Sequence, residues 1–345
     1  MPVYFTLVEK FFMKQLNLGP SPVIDIFGGF SFFAIDAAIR LNLFEILAGK
    51  PTRPTELSEL CKCDVRGLVT LLDILETLGY IKEKNGEYSI TKMTRKWLLD
   101  SSEISFKRGF EYYAPTVIDI WPHISDSLRI GKPYVNFYEW LYDKPEIAEV
   151  YQTFMISLAK MIIPSLLKKI ELKEINILDV GGSHGMYSIA LCNKYPQITV
   201  TIIDSSYAMP VLEKNIKAAG LEHRISLITG DVLNYNFDKK FDAVLLFNVY
   251  HEHEEEYNKM LSSRISEVLI PTGRFIILEG LKTKKVSPMI DLMQRIYGLL
   301  FFCFLGGQNY TLKEISSWLF NSNFINIKKK SLTGTGFTLI NAYRK

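Results

Sequence analysis

Ile177-Leu178-Asp179-Val180-Gly181-Gly182-Ser183-His184-Gly185 reads as a buried strand that runs into a glycine-dense turn and then into a helix over residues 187–194. Glycine lacks a Cβ, so Gly181, Gly182 and Gly185 let the backbone approach a ligand, and the first turn of the helix offers it free N–H groups. A dinucleotide fingerprint, G-x-G-x-x-G, would need glycine at position 180 if Gly182 and Gly185 are its later members, and Val180 stands there. That cofactor class is excluded. Beyond the turn, Asp204 closes a second strand over 199–203, where a carboxylate accepts hydrogen bonds from ribose hydroxyls. Gly230-Asp231-Val232-Leu233 follows a third strand over 225–228 and places Asp231 to read an adenine amino group. An isolated glycine turn is also an ordinary strand-to-helix connection. Three stations at successive strand ends describe an adenosine site.

The 345 residues are enough for about two domains, and 48% apolar with 22% charged residues describe an ordinary globular chain with a large core. A net charge of +3 is small at this length and calls for neither nucleic acid nor acidic lipid. Cys61, Cys63, Cys192 and Cys303 make no C-x-x-C pair and no disulfide framework, which suits the reducing cytoplasm. Residues 1–18 carry Glu9, Lys10 and Lys14 inside their apolar stretch, and are expected as a helix and not a signal. The longest apolar run, 296–305, is about half of the ~20 residues that a bilayer span needs. It is expected as a buried helix.

Residues 24–47 are apolar all round, with Phe27, Phe30, Phe32, Phe33 and Phe44, a pattern that suits burial against a partner subunit. A short helix is expected over 55–60 with its cap at Pro54-Thr55. Asp64 caps a second, on which Leu68, Leu71, Leu72, Leu75 and Leu78 recur at helical spacing until Gly79. Residues 80–91 then form a hairpin on Asn85-Gly86. Helix, helix, hairpin is a winged-helix pattern, which often binds DNA. The charges speak against that use here: Asp64, Asp73 and Glu76 oppose a single Arg66 on the second helix, where phosphate contact needs Lys and Arg.

From the glycine turn, Asp204 and Asp231 the chain resembles the class I S-adenosylmethionine-dependent methyltransferases. Within them it is similar, over nearly its whole length, to the small-molecule O-methyltransferases of the caffeic acid, acetylserotonin and bacterial polyketide-tailoring type. The family loop reads D-V-G-G-G-x-G, matched by Asp179 to Gly185 with Ser183 in place of one glycine. The resemblance implies S-adenosyl-L-methionine as cofactor, held by Asp179, Gly181, Gly182, Ser183, Gly185, Asp204, Asp231 and Val232. Phe247 stands where the family has a lysine and removes one polar contact to it. The implied fold is α/β, a C-terminal doubly wound seven-stranded Rossmann-like domain with a reversed last strand, joined to an N-terminal helical winged-helix dimerisation domain. The expected division is 1–105 for dimerisation, 106–170 as an aromatic-rich helical bridge lining the substrate pocket, and 171–345 for cofactor binding and catalysis.

A buried strand beginning at Phe241 leads to Val249-Tyr250-His251-Glu252-His253-Glu254-Glu255-Glu256. The family motif here is H-D-W-x-D-E, so His251 matches its catalytic histidine, Glu252 its aspartate, and His253 replaces its tryptophan. Glu279, at the end of a strand over 274–278, matches the carboxylate that fixes the imidazole tautomer and stabilises its cation. Asn309, in Gly306-Gly307-Gln308-Asn309-Tyr310-Thr311, replaces the glutamate of G-G-x-E-R-T, and an amide cannot stabilise an imidazolium as a carboxylate does. The same resemblance places Phe154, Met155 and Glu252 against the acceptor, with Asp291, Met293 and Phe304 from the apolar helix over 289–304. His251, Glu252, His253 and Glu255 do not follow the H-E-x-x-H metal spacing, so no metal is expected.

The implied reaction is methylation of a hydroxyl on a small aromatic or polyketide-like molecule by a cytoplasmic homodimer, with no nucleic acid or membrane as partner. Two alternatives stay open: a cofactor-binding homologue with other tailoring chemistry or a non-catalytic ligand-binding dimer, and, more remotely, a winged-helix regulator on DNA.

Overall fold

The computed structural model describes residues 7–12, 16, 22–283 and 287–345. The helix expected over 1–18 falls mostly outside them, and α1, Leu7–Lys10, is one turn. The chain divides into two compact units, Met1–Asp119 and Ile120–Lys345.

The first unit holds α2 (Pro22–Arg40), α3 (Leu43–Gly49), α4 (Pro54–Cys61), α5 (Val65–Thr77), β1 (Ile81–Lys84), β2 (Glu87–Ile90), α6 (Lys92–Trp97) and α7 (Lys107–Asp119). Helix α4 is capped by Arg53, not at Pro54-Thr55, because the fixed φ of Pro54 suits the first helical position. The Asp64 side chain accepts from the Arg66 and Gly67 amides and starts α5, whose Leu68, Leu72 and Leu75 are buried. Asn85 and Gly86 both have positive φ, 58° and 79°, the two-residue type I′ turn that matches strand twist. A bridge from Thr52 to Tyr88 adds a second pairing to the wing. On α2 the residues Ile26, Phe27, Phe30 and Phe33 are exposed, while Ile35, Ala38 and Ile39 are buried.

The second unit opens with α8 (Ile124–Ile130), α9 (Phe137–Tyr142) and α10 (Pro145–Lys169). Then come β3 (Asn176–Val180), α11 (Met186–Lys194), β4 (Thr199–Asp204), α12 (Met209–Ala218), β5 (Ile225–Thr229), β6 (Phe241–Phe247), α13 (Glu255–Val268) and β7 (Leu269–Glu279). The unit closes with α14 (Pro288–Leu305), α15 (Leu312–Asn321), β8 (Phe324–Ser331) and β9 (Thr338–Arg344). The seven strands lie in the order β5-β4-β3-β6-β7-β9-β8. All pairings from β5 to β7 are parallel, and β9 runs antiparallel between β7 and β8.

Strand side chains alternate between faces, and the two sets feed two separate apolar layers. Ile177, Ala243, Leu245, Ile276 and Leu278 join one layer; Leu178, Val244, Leu246, Phe275 and Ile277 join the other. With both faces covered, the open places are the carboxyl ends of the strands, where α/β sheets bind ligands. Asp179, Asp204, Phe247 and Glu279 all lie at or near those ends.

The apolar segment near residue 300 forms the helix expected over 289–304 but is less buried than expected. Ser287 caps α14 through the Ile290 amide, and the helix runs 18 residues to the left-handed Gly306. Asp291, Gln294 and Arg295 interrupt the apolar run in the sequence without interrupting the helical hydrogen bonds. Only Cys303 and Phe304 on it are buried, whereas Met289, Leu292, Met293 and Ile296 are exposed. By length and composition alone, α2, α10 and α14 are each long and apolar enough to cross a membrane.

Candidate functional site

The glycine turn closes on itself before any ligand is considered. Gly181 N donates to Ile203 O at 3.0 Å and Gly185 N to Gly182 O at 2.8 Å. Gly181 and Gly185 have φ of 72° and 75°, and Ser183 takes φ 50° where the resemblance has glycine. A Cβ on Gly182 would stand 2.5 Å from Ile202 Cγ2 and 3.0 Å from Asp179 Oδ2. Packing between β3 and β4 therefore by itself requires glycine at 182. A Cβ on Gly181 would likewise meet Val249 Cγ2 at 2.8 Å.

The acidic stations hold this turn in place. Asp179 shares the sheet face of Ile177 and is 2% exposed. Ser188 of α11 donates to its Oδ2 at 2.6 Å. Burial pushes the Asp179 carboxyl up to about 7 against the pull of the Ser188 bond, with Asp204 adding to the rise. Asp204 accepts from Ser183 N at 2.8 Å and Ser205 N at 2.7 Å, so one carboxylate joins the end of β4 to the turn. Burial raises it, and those bonds oppose the rise. Asp231 is exposed and accepts from Leu233 N and Asn234 Nδ2, a local turn that fixes its direction. Val232 and Phe247 are buried, and Phe247 meets Tyr187 edge to face at 5.4 Å.

Past β6 the chain turns sharply. Asn248 adopts φ 60°, and a single 3-10 turn, Tyr250–Glu252, carries the histidine. The turn is pinned from several sides. Buried Tyr250 bonds Ser262 at 2.6 Å, Asn258 Nδ2 donates to Tyr250 O and His253 O, and Tyr310 OH donates to His253 O at 2.7 Å. Gly307 completes the clamp: a Cβ there would be 2.1 Å from His251 O and 2.6 Å from His253 N.

His251 Nδ1 lies 2.7 Å from Glu279 Oε1, and the two side chains are 13% and 1% exposed. The Gly280 amide donates to the same carboxylate oxygen at 2.9 Å. Burial alone lowers the imidazole pKa. The charge and hydrogen bond of Glu279, with the charge of Glu252, outweigh it, and the net shift is upward. Glu252 accepts from Tyr138 OH of α9 at 3.0 Å. Burial lifts its carboxyl to about 7, against the pull of His251 and the Tyr138 bond. His253 is held down to about 4, mainly by burial, and stacks on Tyr257 at 4.1 Å.

Other expected residues stand elsewhere. Asn309 donates through Nδ2 to Gln294 O at 2.6 Å, so its amide staples the Gly306-Gly307 segment to α14; among the described residues no hydrogen bond joins it to His251. Phe154 and Phe304 are buried, and Phe304 stacks on Phe137 at 5.4 Å. Met155 is half-buried, Met293 is 45% exposed, and Asp291 pairs with Arg295 at 2.8 Å. Asn248, Tyr138, Phe301 and Gly307 were not singled out as site residues. A Gly-Gly pair directly after an apolar helix was the one local sign of Gly307, and asparagine after a buried strand the one sign of a left-handed turn.

Asn248 Oδ1 and Glu279 Oε2 are buried acceptors without a hydrogen-bond partner. They sit at the ends of neighbouring strands, since Asn248 N donates to Leu278 O. Acceptors left this way call for donors, and a nucleoside cofactor with hydroxyl and ammonium groups fits that need. Among the described residues no three His, Cys, Asp or Glu side chains come together to hold a metal ion.

Comparison with known proteins gives this geometry its place. Residues 121–324 match the model of the O-methyltransferase domain and residues 24–100 that of the O-methyltransferase dimerisation domain. The chain is 27% identical over 285 residues to the L-tyrosine C(3)-methyltransferase of Streptomyces lavendulae, covering 79% of this chain and 78% of that protein. It is 23% identical to the tetracenomycin polyketide synthesis 8-O-methyl transferase of Streptomyces glaucescens, covering 92% and 94%. Human N-acetylserotonin methyltransferase, solved in complex with SAM, shares the fold with a TM-score of 0.82 at 19% identity, over 100% of this chain and 99% of that one. The chain belongs to the O-methyltransferase family: it is an S-adenosyl-L-methionine-dependent O-methyltransferase that carries the family's dimerisation domain.

Proposed function

We propose that the enzyme methylates a hydroxyl of a small aromatic or polyketide-like molecule with His251 as general base, as a cytoplasmic homodimer joined through its N-terminal unit. The observation that carries this reading is the 2.7 Å contact of His251 Nδ1 with Glu279, which commits one ring nitrogen and leaves Nε2 for the acceptor. Relatives named for naphthoate and tetracenomycin hydroxyls fit the same acceptor class.

The bound cofactor supplies an electrophilic methyl group on a sulfonium. Asp179, Gly181, Gly182, Ser183, Gly185, Asp204, Asp231, Val232 and Phe247 form its bed in this reading, with Asn248 added by its unpartnered oxygen. Phe154, Met155, Glu252, Asp291, Met293 and Phe304 border the acceptor in the same reading, Phe154 and Phe304 from the packing behind it. The division into a helical bridge over 106–170 and a catalytic body over 171–345 belongs to the same reading.

A phenol titrates near 10 and free imidazole near 6.5, so complete proton transfer is uphill by roughly 5 kcal/mol. Two features reduce that gap here. The buried carboxylate of Glu279 favours the imidazolium, and removing the proton as the oxygen attacks avoids a free phenolate. Holding the oxygen in line with the methyl group supplies much of the remaining acceleration.

Two measurements test the proposal. Labelled S-adenosyl-L-methionine and a panel of phenolic, polyketide and indolic hydroxyl compounds should give an O-methylated product by mass spectrometry. Cofactor binding without transfer to any acceptor would overturn it in favour of a non-catalytic dimer. Separately, Asp204→Ala should weaken cofactor binding about tenfold or more by calorimetry, because a charge-assisted carboxylate contact and the anchor of the turn are both lost. An unchanged Kd would remove Asp204 from the cofactor site.

A further inference from the structure

Helix α14 and the segment that follows it touch the histidine in two ways. Phe301 stacks on the His251 ring with centroids 4.0 Å apart and planes 25° apart. One turn earlier on the same helix, Tyr297 continues the stack on Phe301 at 5.9 Å and 21°. Past the helix end, the backbone of Gly307 lies against the backbone of residues 251–253, and Asn309 is tied back to Gln294. The helix and the segment directly after it therefore meet both the side chain and the main chain of the same residue.

A single hydrogen bond at Nδ1 fixes one atom of an imidazole and leaves the ring plane free to swing about that contact. A flat neighbour on its face removes that freedom, and together the two contacts determine where Nε2 points. The face of a phenyl ring is also the negative end of its quadrupole, so it attracts the protonated imidazole more than the neutral one.

We propose that Phe301 is a positioning residue for methyl transfer: its ring holds the plane of the His251 imidazole and favours its cationic form, so that α14 sets the aim of the base. The proposal rests on the reading of His251 as general base. The other groups that face this imidazole are Glu279 from β7, Glu252 and His253 from its own turn, and Tyr138 of α9 by way of Glu252. Phe301 is the group that acts through shape and quadrupole without a charge. Leucine in its place keeps the apolar volume and loses the stack, whereas tryptophan keeps a stacking face.

The test uses the full-length chain labelled at histidine Cε1, in Phe301→Leu, Phe301→Trp and the parent. Of five histidines, the His251 signal is the one absent from His251→Asn. In F301L the NMR titration midpoint of His251 should fall by on the order of one pH unit, the scale of a desolvated cation–π contact. Transfer to a phenolic acceptor should fall about tenfold in kcat with KM for cofactor unchanged, and the acid limb of its pH profile should shift with the midpoint. F301W should restore both to within about threefold of the parent. An unmoved midpoint in F301L, or equal impairment of F301L and F301W, overturns the proposal. A midpoint that moves while the pH-rate profile stays in place refutes His251 as the base, and with it a role for Phe301 in transfer.

Discussion

Replacing His251 by asparagine is expected to lower kcat for a phenolic acceptor by about 10²–10⁴-fold, the range that a positioned general base contributes. Asparagine keeps a polar planar group of similar size, so cofactor affinity, measured by calorimetry, should stay within about threefold. The pH dependence carries the sign of the mechanism. Neutral imidazole is the form that takes the proton, and its folded pKa lies above the ordinary 6.5. Log kcat/KM of the parent should therefore rise with pH through a midpoint above about 6.5 and then level, and the variant should lack that limb. The same shift bears on stability with the opposite sense. A raised imidazole pKa contributes stability in full below about 6.5 and loses it as pH passes the folded midpoint. Thermal scans at pH 6 and pH 9 should show the parent's advantage over the variant shrinking at the higher pH. Equal turnover in the two proteins would remove His251 from the reaction.

Gly307→Ala should be nearly as damaging to turnover although it changes no functional group. The added Cβ would lie 2.1 Å from His251 O and 2.6 Å from both Glu252 C and His253 N. These are backbone atoms, so no side chain can swing aside. The 3-10 turn is already clamped by Asn258, Tyr310 and Ser262 and has little room to retreat. Overpacking of this kind costs roughly 1–3 kcal/mol or more, and a displacement of about 1 Å at the reacting group costs about 100-fold in rate. The expected result is a kcat reduced by about 100-fold, a lowered melting temperature and nearly unchanged cofactor binding. Gly306→Asn is the control. Gly306 has φ 84°, which asparagine tolerates, and its Cβ would meet Pro133 at an ordinary 3.5 Å. Parent-like activity in Gly307→Ala would show that the clamp is not needed.

Much of the architecture was legible because it depends on short-range rules. Short apolar runs marked β3, β4 and β6; Asn85-Gly86 marked the hairpin; Asp64 marked the start of α5. The loop residues were legible as a set, yet their individual duties were not. Gly182 illustrates the difference. Its type follows from the motif, but its need for zero side-chain volume comes from Ile202 on the next strand. Asn309 illustrates the reverse: read from the motif as a partner of His251, it bonds the Gln294 carbonyl because α14 passes beside it. Helix α14 was legible in extent, over 289–304, but not in burial: Met289, Leu292, Met293 and Ile296 are exposed, because apolar composition alone does not say which faces are covered.

The order of residues alone determined a strand, a glycine turn and three carboxylates at strand ends, and so an α/β fold with a nucleoside site, because each signal is local and backbone geometry repeats. It also placed His251 and Glu279 at the ends of separate strands. Packing alone decided that they meet at 2.7 Å, that Phe301 covers the imidazole and that Gly307 supports its backbone. Those contacts join residues far apart in the chain. Their distances depend on how β6, β7 and α14 settle against two filled layers, which no local pattern encodes.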